Sequence, residues 1–149
     1  MRRESDTLHL LMLETTSKPR EYVAIARLLH EASEQVSDEA RLRSLAITVV
    51  AVDDEVFVNR HYVKIVLVAM LRSAIERTHR NGRIVITAQE IERDLAFAVY
   101  ASGPAQSHWS ETDELARIHA RALGGRFWRG DPSDGRLALF TLPLYMDEN

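Results

Sequence analysis

The stretch RHYVKIVLVAMLRSAIERT, residues 60–78, decides the fold. Its apolar residues recur at the i, i+3, i+4 spacing of a helix that buries a broad face. The residues of that face are Val63, Val66, Leu67, Met70, Leu71, Ala74 and Ile75. Asn81-Gly82 follows, and Gly82 is predicted to take the left-handed conformation that often ends a helix. The stretch therefore predicts a long core helix on which the rest of the chain packs.

A short amphipathic helix is predicted near the amino terminus, over residues 5–16. Leu8, Leu11 and Met12 lie on one face of it, and Ser17-Lys18-Pro19 ends it, because a residue before proline is pushed out of the helical region. A helix of this length is marginal alone. We therefore expect it to pack on the body of the protein or on a second chain.

The segment between this helix and residue 60 is predicted to contain a helix and two strands. A helix is expected from about Arg20 to Val36, with Tyr22 on its inward stripe. The sequence SLAITVVAV, residues 44–52, is apolar and rich in β-branched residues, which predicts a buried strand. Residues 56–58 are predicted to form a short strand.

After the core helix, two strands are predicted, GRIVITAQEI and RDLAFAVYA. Ser110 with Asp113 three residues later resembles a capping box, which predicts a helix ending at Gly124-Gly125. RFWRGD and RLALFTLPL are predicted to form a terminal hairpin. The expected fold is an α+β, two-layer sandwich with three main helices on one face of a mixed or antiparallel sheet of about five strands. We expect residues 1–19 to form a short helix and connector, and residues 20–149 to form one domain of this fold.

Composition narrows the functional classes. The chain has 149 residues, 46% of them hydrophobic and 28% charged, as expected of a soluble globular domain. The absence of cysteine excludes disulfides and thiolate metal sites. The formal net charge of −3 argues against a general nucleic-acid binder. The apolar run at the amino terminus is too short for a membrane span or a signal peptide, so we expect a cytoplasmic protein.

Three strings, taken in order, resemble the ATP-binding domain of the gyrase, histidine kinase and MutL superfamily (the GHKL superfamily), and above all the catalytic domain of sensor histidine kinases. MLRSAIERT is similar to the helix of that family's asparagine box, and LAFAVYASGPA to its Asp-x-Gly-x-Gly box. LGGRFWRGDPSDGRLALFTLPL is similar to its carboxyl-terminal hairpin. The resemblance covers roughly residues 20–144, and it implies a Bergerat-type ATPase fold with Mg²⁺ and ATP as its cofactors.

The residues that the resemblance assigns to the nucleotide are altered. The magnesium-binding asparagine is replaced by Ser73 and the polar residue one turn earlier by Ala69, although Mg²⁺ needs hard oxygen ligands. Glu76 stands where the family often has a basic residue, and it would repel a phosphate. The adenine-binding aspartate is replaced by Ala101; a hydrogen bond to a charged group contributes about 1.5–3 kcal/mol.

The loop that should close over the phosphates is also altered. Gly103 survives as the first glycine of the box, but Ala105 replaces the second. The glycine-rich lid is shortened to AQSHWSETDE. Trp109 lies in this segment, where it could contact a partner protein or fill the vacant nucleotide cleft. We expect that ATP and Mg²⁺ are not bound.

The histidines offer two candidate phosphoacceptors. His30-Glu31 resembles the start of a phosphoacceptor box, but Ala32-Ser33 follow in place of the expected Arg and Pro-Leu, and an ordinary solvent-facing histidine is the alternative. His9, on the amino-terminal helix, is the second candidate. The remaining histidines have no metal-ligand spacing, so no metal site is predicted.

The resemblance and the altered residues together predict a degenerate histidine-kinase-like domain of two-component signal transduction. It is expected to act as a protein-interaction or phosphotransfer docking module, with a response regulator or a histidine kinase as partner, and to form a homodimer through its amino-terminal helix (Leu8, Leu11, Met12). Two alternatives stay open. One is a divergent but active histidine kinase catalytic domain that binds ATP with Mg²⁺, and the other is an anti-sigma-like regulator that binds a transcription factor.

Overall fold

The computed structural model describes residues 20–103, 108–130 and 137–144. Leu8, His9, Leu11, Met12 and Ala105 lie outside these residues, as does the predicted amino-terminal helix. The elements, in chain order, are β1 (Glu21–Ala24), α1 (Ile25–Gln35), α2 (Ser37–Leu42), β2 (Ala46–Val50), β3 (Glu55–Val58), α3 (Arg60–Arg77), β4 (Arg83–Ile91), β5 (Asp94–Ala101), α4 (Glu111–Ala122), β6 (Arg126–Arg129) and β7 (Leu137–Pro143).

Five strands form the main sheet in the order β2-β4-β5-β7-β6. β2 and β4 are parallel and the other neighbours are antiparallel, so the sheet is mixed. β1 and β3 form a separate antiparallel pair. The helices α1, α3 and α4, with the short α2, pack on this sheet. The predicted α+β sandwich is confirmed.

The core lies between α3 and one face of the sheet. Alternate residues of β4, β5 and β7 are buried there, and Phe97 and Phe140 stack with their ring centroids 5.3 Å apart. α3 is buried along most of its length, and the Asn59 side chain caps its first turn by accepting a hydrogen bond from the Tyr62 N–H. The buried face predicted for residues 60–78 is confirmed.

The prediction of one helix over residues 20–36 is wrong at its beginning. Residues 21–24 form β1, and α1 starts only at Ile25, whose N–H donates to the carbonyl of Asp54 at 2.8 Å. Tyr22 is 70% exposed and its ring lies 4.9 Å from that of Phe57. Pairing with β3, more than thirty residues away, overrides the local helical pattern.

Two further details differ from the predictions. β2 is an edge strand that alternates between exposed and half-buried residues, because β4 is its neighbour on one side; the sequence had predicted a buried strand. After α3, Asn81 takes the left-handed conformation (φ +65°) that was predicted for Gly82. Gly82 is needed for space, since a Cβ there would lie 2.5 Å from Cγ2 of Thr78.

The second half of the chain follows the predictions. The antiparallel strands β4 and β5 meet at a turn in which Glu92 is left-handed (φ +59°). α4 begins at a capping box and ends before Gly124, whose φ is +84°. β6 and β7 pair as a hairpin. No helix within the described ranges is both long and apolar enough to cross a membrane.

Candidate functional site

Ser73 on α3, the position of the family's magnesium-binding asparagine, contacts the first turn of α4. Its side chain is buried, and its hydroxyl donates a hydrogen bond to Oδ1 of Asp113 at 2.6 Å. The two residues are forty positions apart in the sequence. This bond joins α4 to α3 at the centre of the predicted nucleotide site.

The carboxylate of Asp113 is completely buried and accepts several hydrogen bonds. Its Oδ2 accepts from the backbone N–H of Ser110 at 3.0 Å and from the Ser110 hydroxyl at 3.2 Å. In return, the Asp113 N–H donates to the Ser110 hydroxyl oxygen at 3.1 Å, which completes a capping box. Asp113 thus caps its own helix while it binds Ser73.

Arg129 of β6 neutralises this carboxylate. Its Nη1 lies 3.3 Å from Oδ2 of Asp113, and the two side chains are only 5% and 1% exposed. The same guanidinium donates to the carbonyl of His108. A buried carboxylate is stable in the charged form only with such a partner and with its hydrogen bonds satisfied. Arg129 therefore completes the set of contacts that hold Asp113 in place.

A second bond joins the two helices one turn further along. The hydroxyl of Thr112 donates to Oε2 of Glu76 at 3.0 Å. Two of the three altered positions on α3, Ser73 and Glu76, are thus bonded to consecutive residues of α4. The first turn of α4 lies directly against the face of α3 that the family resemblance assigns to magnesium and phosphate.

A cavity of only about 70 Å³ remains between these helices. It is lined by Ser73, Glu76, Arg77, His108, Ser110 and Asp113. Burial lowers the pKa of Arg77 to about 10, and the charge of Arg129 contributes to the same shift. Sites for small ligands are typically about 300–1,000 Å³ in volume, so this cavity is smaller than a typical ligand site.

Comparison with known proteins places this arrangement in a known fold. No family model and no curated protein matches the sequence. Among solved structures, the catalytic domain of the histidine kinase ThkA matches with a TM-score of 0.72 and 21% identity, over 84% of this chain and 97% of that one. A histidine kinase from Burkholderia phymatum matches with a TM-score of 0.73 and 19% identity, over 94% of this chain and 75% of that one.

This chain has the fold of a histidine kinase catalytic domain. A third structure is ThkA in complex with the response regulator TrrA, which matches with a TM-score of 0.70 and 21% identity. That match covers 97% of this chain and 48% of the ThkA chain.

The other altered positions of this histidine-kinase-like domain lie on α3, at the end of β5 and just after it. Ala69 is buried one turn before Ser73, at the edge of a groove between α3 and α4. Ala101 is buried at the end of β5, where it is aligned with Ile84 of β4. Gly103 has φ +99°, a conformation that favours glycine. The assignment of Ala69, Ser73, Glu76, Ala101 and Gly103 to nucleotide positions stays a prediction.

Trp109 lies against the body of the domain beside α4. Its ring centroid is 5.8 Å from that of Phe127, and its Nε1 donates to Oε1 of Glu114 at 3.0 Å. It remains 42% exposed. Trp109 therefore contacts the first turn of α4 and keeps part of its ring exposed. His30 is exposed on α1.

The sequence did not predict the contacts that surround Asp113. Asp113 was predicted only as a helix cap, and Thr112, Arg77 and Arg129 were not predicted at all. The spacing of Ser110 and Asp113 was the one sequence signal for these contacts. It predicts a helix that begins directly after the shortened lid segment, and the first turn of such a helix is expected near the predicted nucleotide position. Within the described residues, no group of three or more histidines and carboxylates is arranged to bind a metal.

Proposed function

We propose that this chain is a non-catalytic, cytoplasmic histidine-kinase-like domain of two-component signal transduction, which no longer binds ATP and acts through contacts with other proteins. The observation that carries the proposal is the hydrogen bond between Ser73 and Asp113. Through this bond, the buried carboxylate of Asp113 lies against Ser73, the residue that replaces the family's magnesium-binding asparagine.

The residues at this position fit magnesium poorly. Mg²⁺ requires near-octahedral coordination by oxygen and usually keeps several waters. Here the oxygens at hand belong to Ser73 and Asp113, and Arg129 already neutralises the carboxylate. Freeing Asp113 for a metal would take this negative charge away from the buried Arg129 guanidinium, at a cost of about 3–5 kcal/mol.

The phosphate and adenine positions fit no better. A helix amino terminus can bind phosphate through its free N–H groups. In α4, however, the Asp113 N–H is already bonded, and Glu111, Asp113 and Glu114 place three acidic residues in the first turn. These carboxylates take the place of an anionic ligand at the positive end of the helix dipole. The methyl group of Ala101 cannot accept a hydrogen bond from adenine.

Retention of the scaffold supports a role in protein contacts. The described residues form one hydrophobic core and a five-stranded sheet, although the residues that the resemblance assigns to the ligands are altered. ThkA, which shares this fold, has been solved in complex with a response regulator. We therefore propose a response regulator or a histidine kinase as the partner, with the exposed face of Trp109 as one contact.

A phosphorylation assay tests the proposal. The full chain is incubated with Mg²⁺ and γ-labelled ATP, alone and with a candidate response regulator, beside an active histidine kinase as the positive control. We expect no label on this chain in either reaction. Label that appears on the chain with ATP alone would establish an active kinase and overturn the proposal.

The partner class is tested separately by phosphotransfer. The regulator is phosphorylated by its own kinase and then mixed with wild type, with His30→Ala and with His9→Ala. Label on wild type that one of these variants lacks identifies a phosphotransfer module. Binding of the regulator without transfer of label identifies a docking module. If this chain binds a sigma factor in a pull-down and does not bind the response regulator, the proposed partner is wrong.

A further inference from the structure

The outer edge of β2 has no neighbouring strand among the described residues. The sheet order is β2-β4-β5-β7-β6, so β2 pairs with β4 alone. An edge strand exposes a row of N–H and C=O groups, and proteins commonly protect it with charged side chains, proline or a bulge. β2 reads AITVV, without charge or proline, and its register with β4 is continuous. The strand therefore carries none of these protections.

The backbone groups that can pair at this edge follow from the register. The N–H of Ala46 donates to the carbonyl of Gly82 at 3.2 Å, so Ala46 bonds towards β4. The direction of bonding alternates from residue to residue along a strand. Thr48 therefore also bonds towards β4, whereas the N–H and C=O groups of Ile47 and Val49 point to the outer edge.

A second copy of β2 can pair with these groups. If two copies pair antiparallel about a two-fold axis at Thr48, Ile47 of one copy lies opposite Val49 of the other. Two opposite residues whose backbone groups face each other exchange two N–H···O bonds in an antiparallel pair. The axis generates two such pairs, and Thr48 lies opposite Thr48 of the second copy. The outward groups of the two strands thus match without a shift in register.

The side chains on both faces of the edge fit this pairing. On the helix side, Ile47 and Val49 are half-buried, and a groove of about 470 Å³ lies beside Ile47, between α1, α2 and β2. This groove has room for Val49 of the second copy. On the open side, the small Ala46 comes opposite Val50 of the second copy, and Val50 is 53% exposed in the single chain.

Charge and area decide what kind of dimer results. A two-fold axis places each residue of the strand near itself or its close neighbours, so a charged edge strand would repel its own copy. β2 is uncharged, and Arg41, the charged residue that lines the groove, pairs with Asp38. A strand of five residues is only about 17 Å long, so its edge buries far less than the roughly 800 Å² per partner of a standard interface. We therefore expect a weak dimer that forms as the protein concentration rises.

We propose that two copies of this chain pair through the edges of β2, antiparallel about a two-fold axis at Thr48, and join their two five-stranded sheets into one. This interface is separate from the amino-terminal helix, through which the sequence predicted a homodimer. The proposal does not depend on whether the chain binds ATP.

Disulfide cross-linking tests the pairing on the full chain. The sequence has no cysteine, so Thr48→Cys introduces a single thiol, at an exposed position. In the proposed dimer the two Cα atoms at position 48 lie about 4.5 Å apart, which is within the range of a disulfide. Asp94→Cys, at an exposed position of β5, is the control for random collision. On oxidation with diamide, Thr48→Cys should form covalent dimer at least about tenfold faster than Asp94→Cys.

A second control on the same strand tests the register. Ala46→Cys is exposed on the same face as Thr48→Cys, but position 46 lies opposite position 50. Ala46→Cys alone should therefore cross-link no faster than Asp94→Cys, whereas a mixture of Ala46→Cys and Val50→Cys should cross-link rapidly. Rapid cross-linking of Ala46→Cys alone, or a rate for Thr48→Cys that equals that of Asp94→Cys, would overturn the proposal.

Analytical ultracentrifugation tests the dimer without a cross-link. The sedimentation coefficient of wild type should rise with concentration, whereas Thr48→Lys, which places two like charges opposite each other, should remain monomeric. Because the Thr48 side chain is exposed, Thr48→Lys should keep the far-UV circular dichroism of wild type, and this separates loss of pairing from loss of folding.

Two sedimentation results would contradict the proposal. One is a wild type that stays monomeric up to millimolar concentration. The other is a dimer that Leu8→Asp abolishes and Thr48→Lys leaves intact, which would assign dimerisation to the amino-terminal helix.

Discussion

At the scale of single residues, Asp113 matters most because two roles meet in one carboxylate. It caps α4 through Ser110 and binds Ser73 and Arg129. The cap could be predicted from the sequence, because Ser-x-x-Asp before an amphipathic run is a local pattern. The bond to Ser73 could not, since it depends on how α4 packs on a helix forty residues earlier.

Replacement of Asp113 with asparagine should destabilise the domain strongly. The amide keeps the shape of the side chain but removes the negative charge that faces the buried Arg129 guanidinium, so we expect a loss of about 3–5 kcal/mol. Urea denaturation measures the free energy of unfolding. Asp38→Asn is the control, because the Asp38 side chain is 85% exposed and the change should stay within about 0.5 kcal/mol. Equal losses for both variants would contradict the role assigned to Asp113.

At the scale of elements, ion pairs join α1 to α3. Glu31 of α1 binds Arg60 of α3 at 2.6 Å and lies 3.7 Å from Lys64. The hydrogen bond from Arg60 lowers the pKa of Glu31, although burial opposes the effect. The ion pairs stabilise the fold above the ordinary pKa of 4.5, and this contribution is lost as the pH falls through the lowered pKa.

Glu31→Gln should therefore have a pH-dependent cost. We expect wild type to be more stable than this variant by up to about 1 kcal/mol at neutral pH, because the pairs are partly exposed. The difference should shrink as the pH falls below 4.5. Glu34→Gln, an exposed change on the same helix, should show little difference at any pH. A gap between wild type and Glu31→Gln that stays constant down to about pH 3, or widens there, would contradict the assignment.

The elements also show where sequence patterns reach their limit. The apolar spacing of α3 and the alternation in β4 and β5 are local, so these elements were predicted with their correct type. β1 was mistaken for helix because residues 21–24 take their conformation from a distant partner, β3. β2 was mistaken for a buried strand because β-branched composition does not reveal whether a strand lies at the edge of a sheet.

At the scale of the whole molecule, the fold is shared with proteins of low sequence identity, whereas we propose that the ligand positions are altered. The fold matches solved histidine kinase domains at about one-fifth identity, because many combinations of apolar residues fill the same core. The ligand positions allow no such freedom, since magnesium and adenine need particular oxygens at particular places. A chain can therefore keep this fold while Ala69, Ser73 and Ala101 replace those groups.

Isothermal titration calorimetry of the full chain with Mg-ATP tests the central claim most directly. We expect no binding heat above dilution for wild type, and none for Ala101→Asp, because we propose that α4 and Asp113 fill the magnesium and phosphate positions whether or not the adenine contact is restored. A histidine kinase catalytic domain titrated under the same conditions is the control. Saturable binding of wild type with a micromolar dissociation constant, unchanged in Ala101→Asp, would contradict the account.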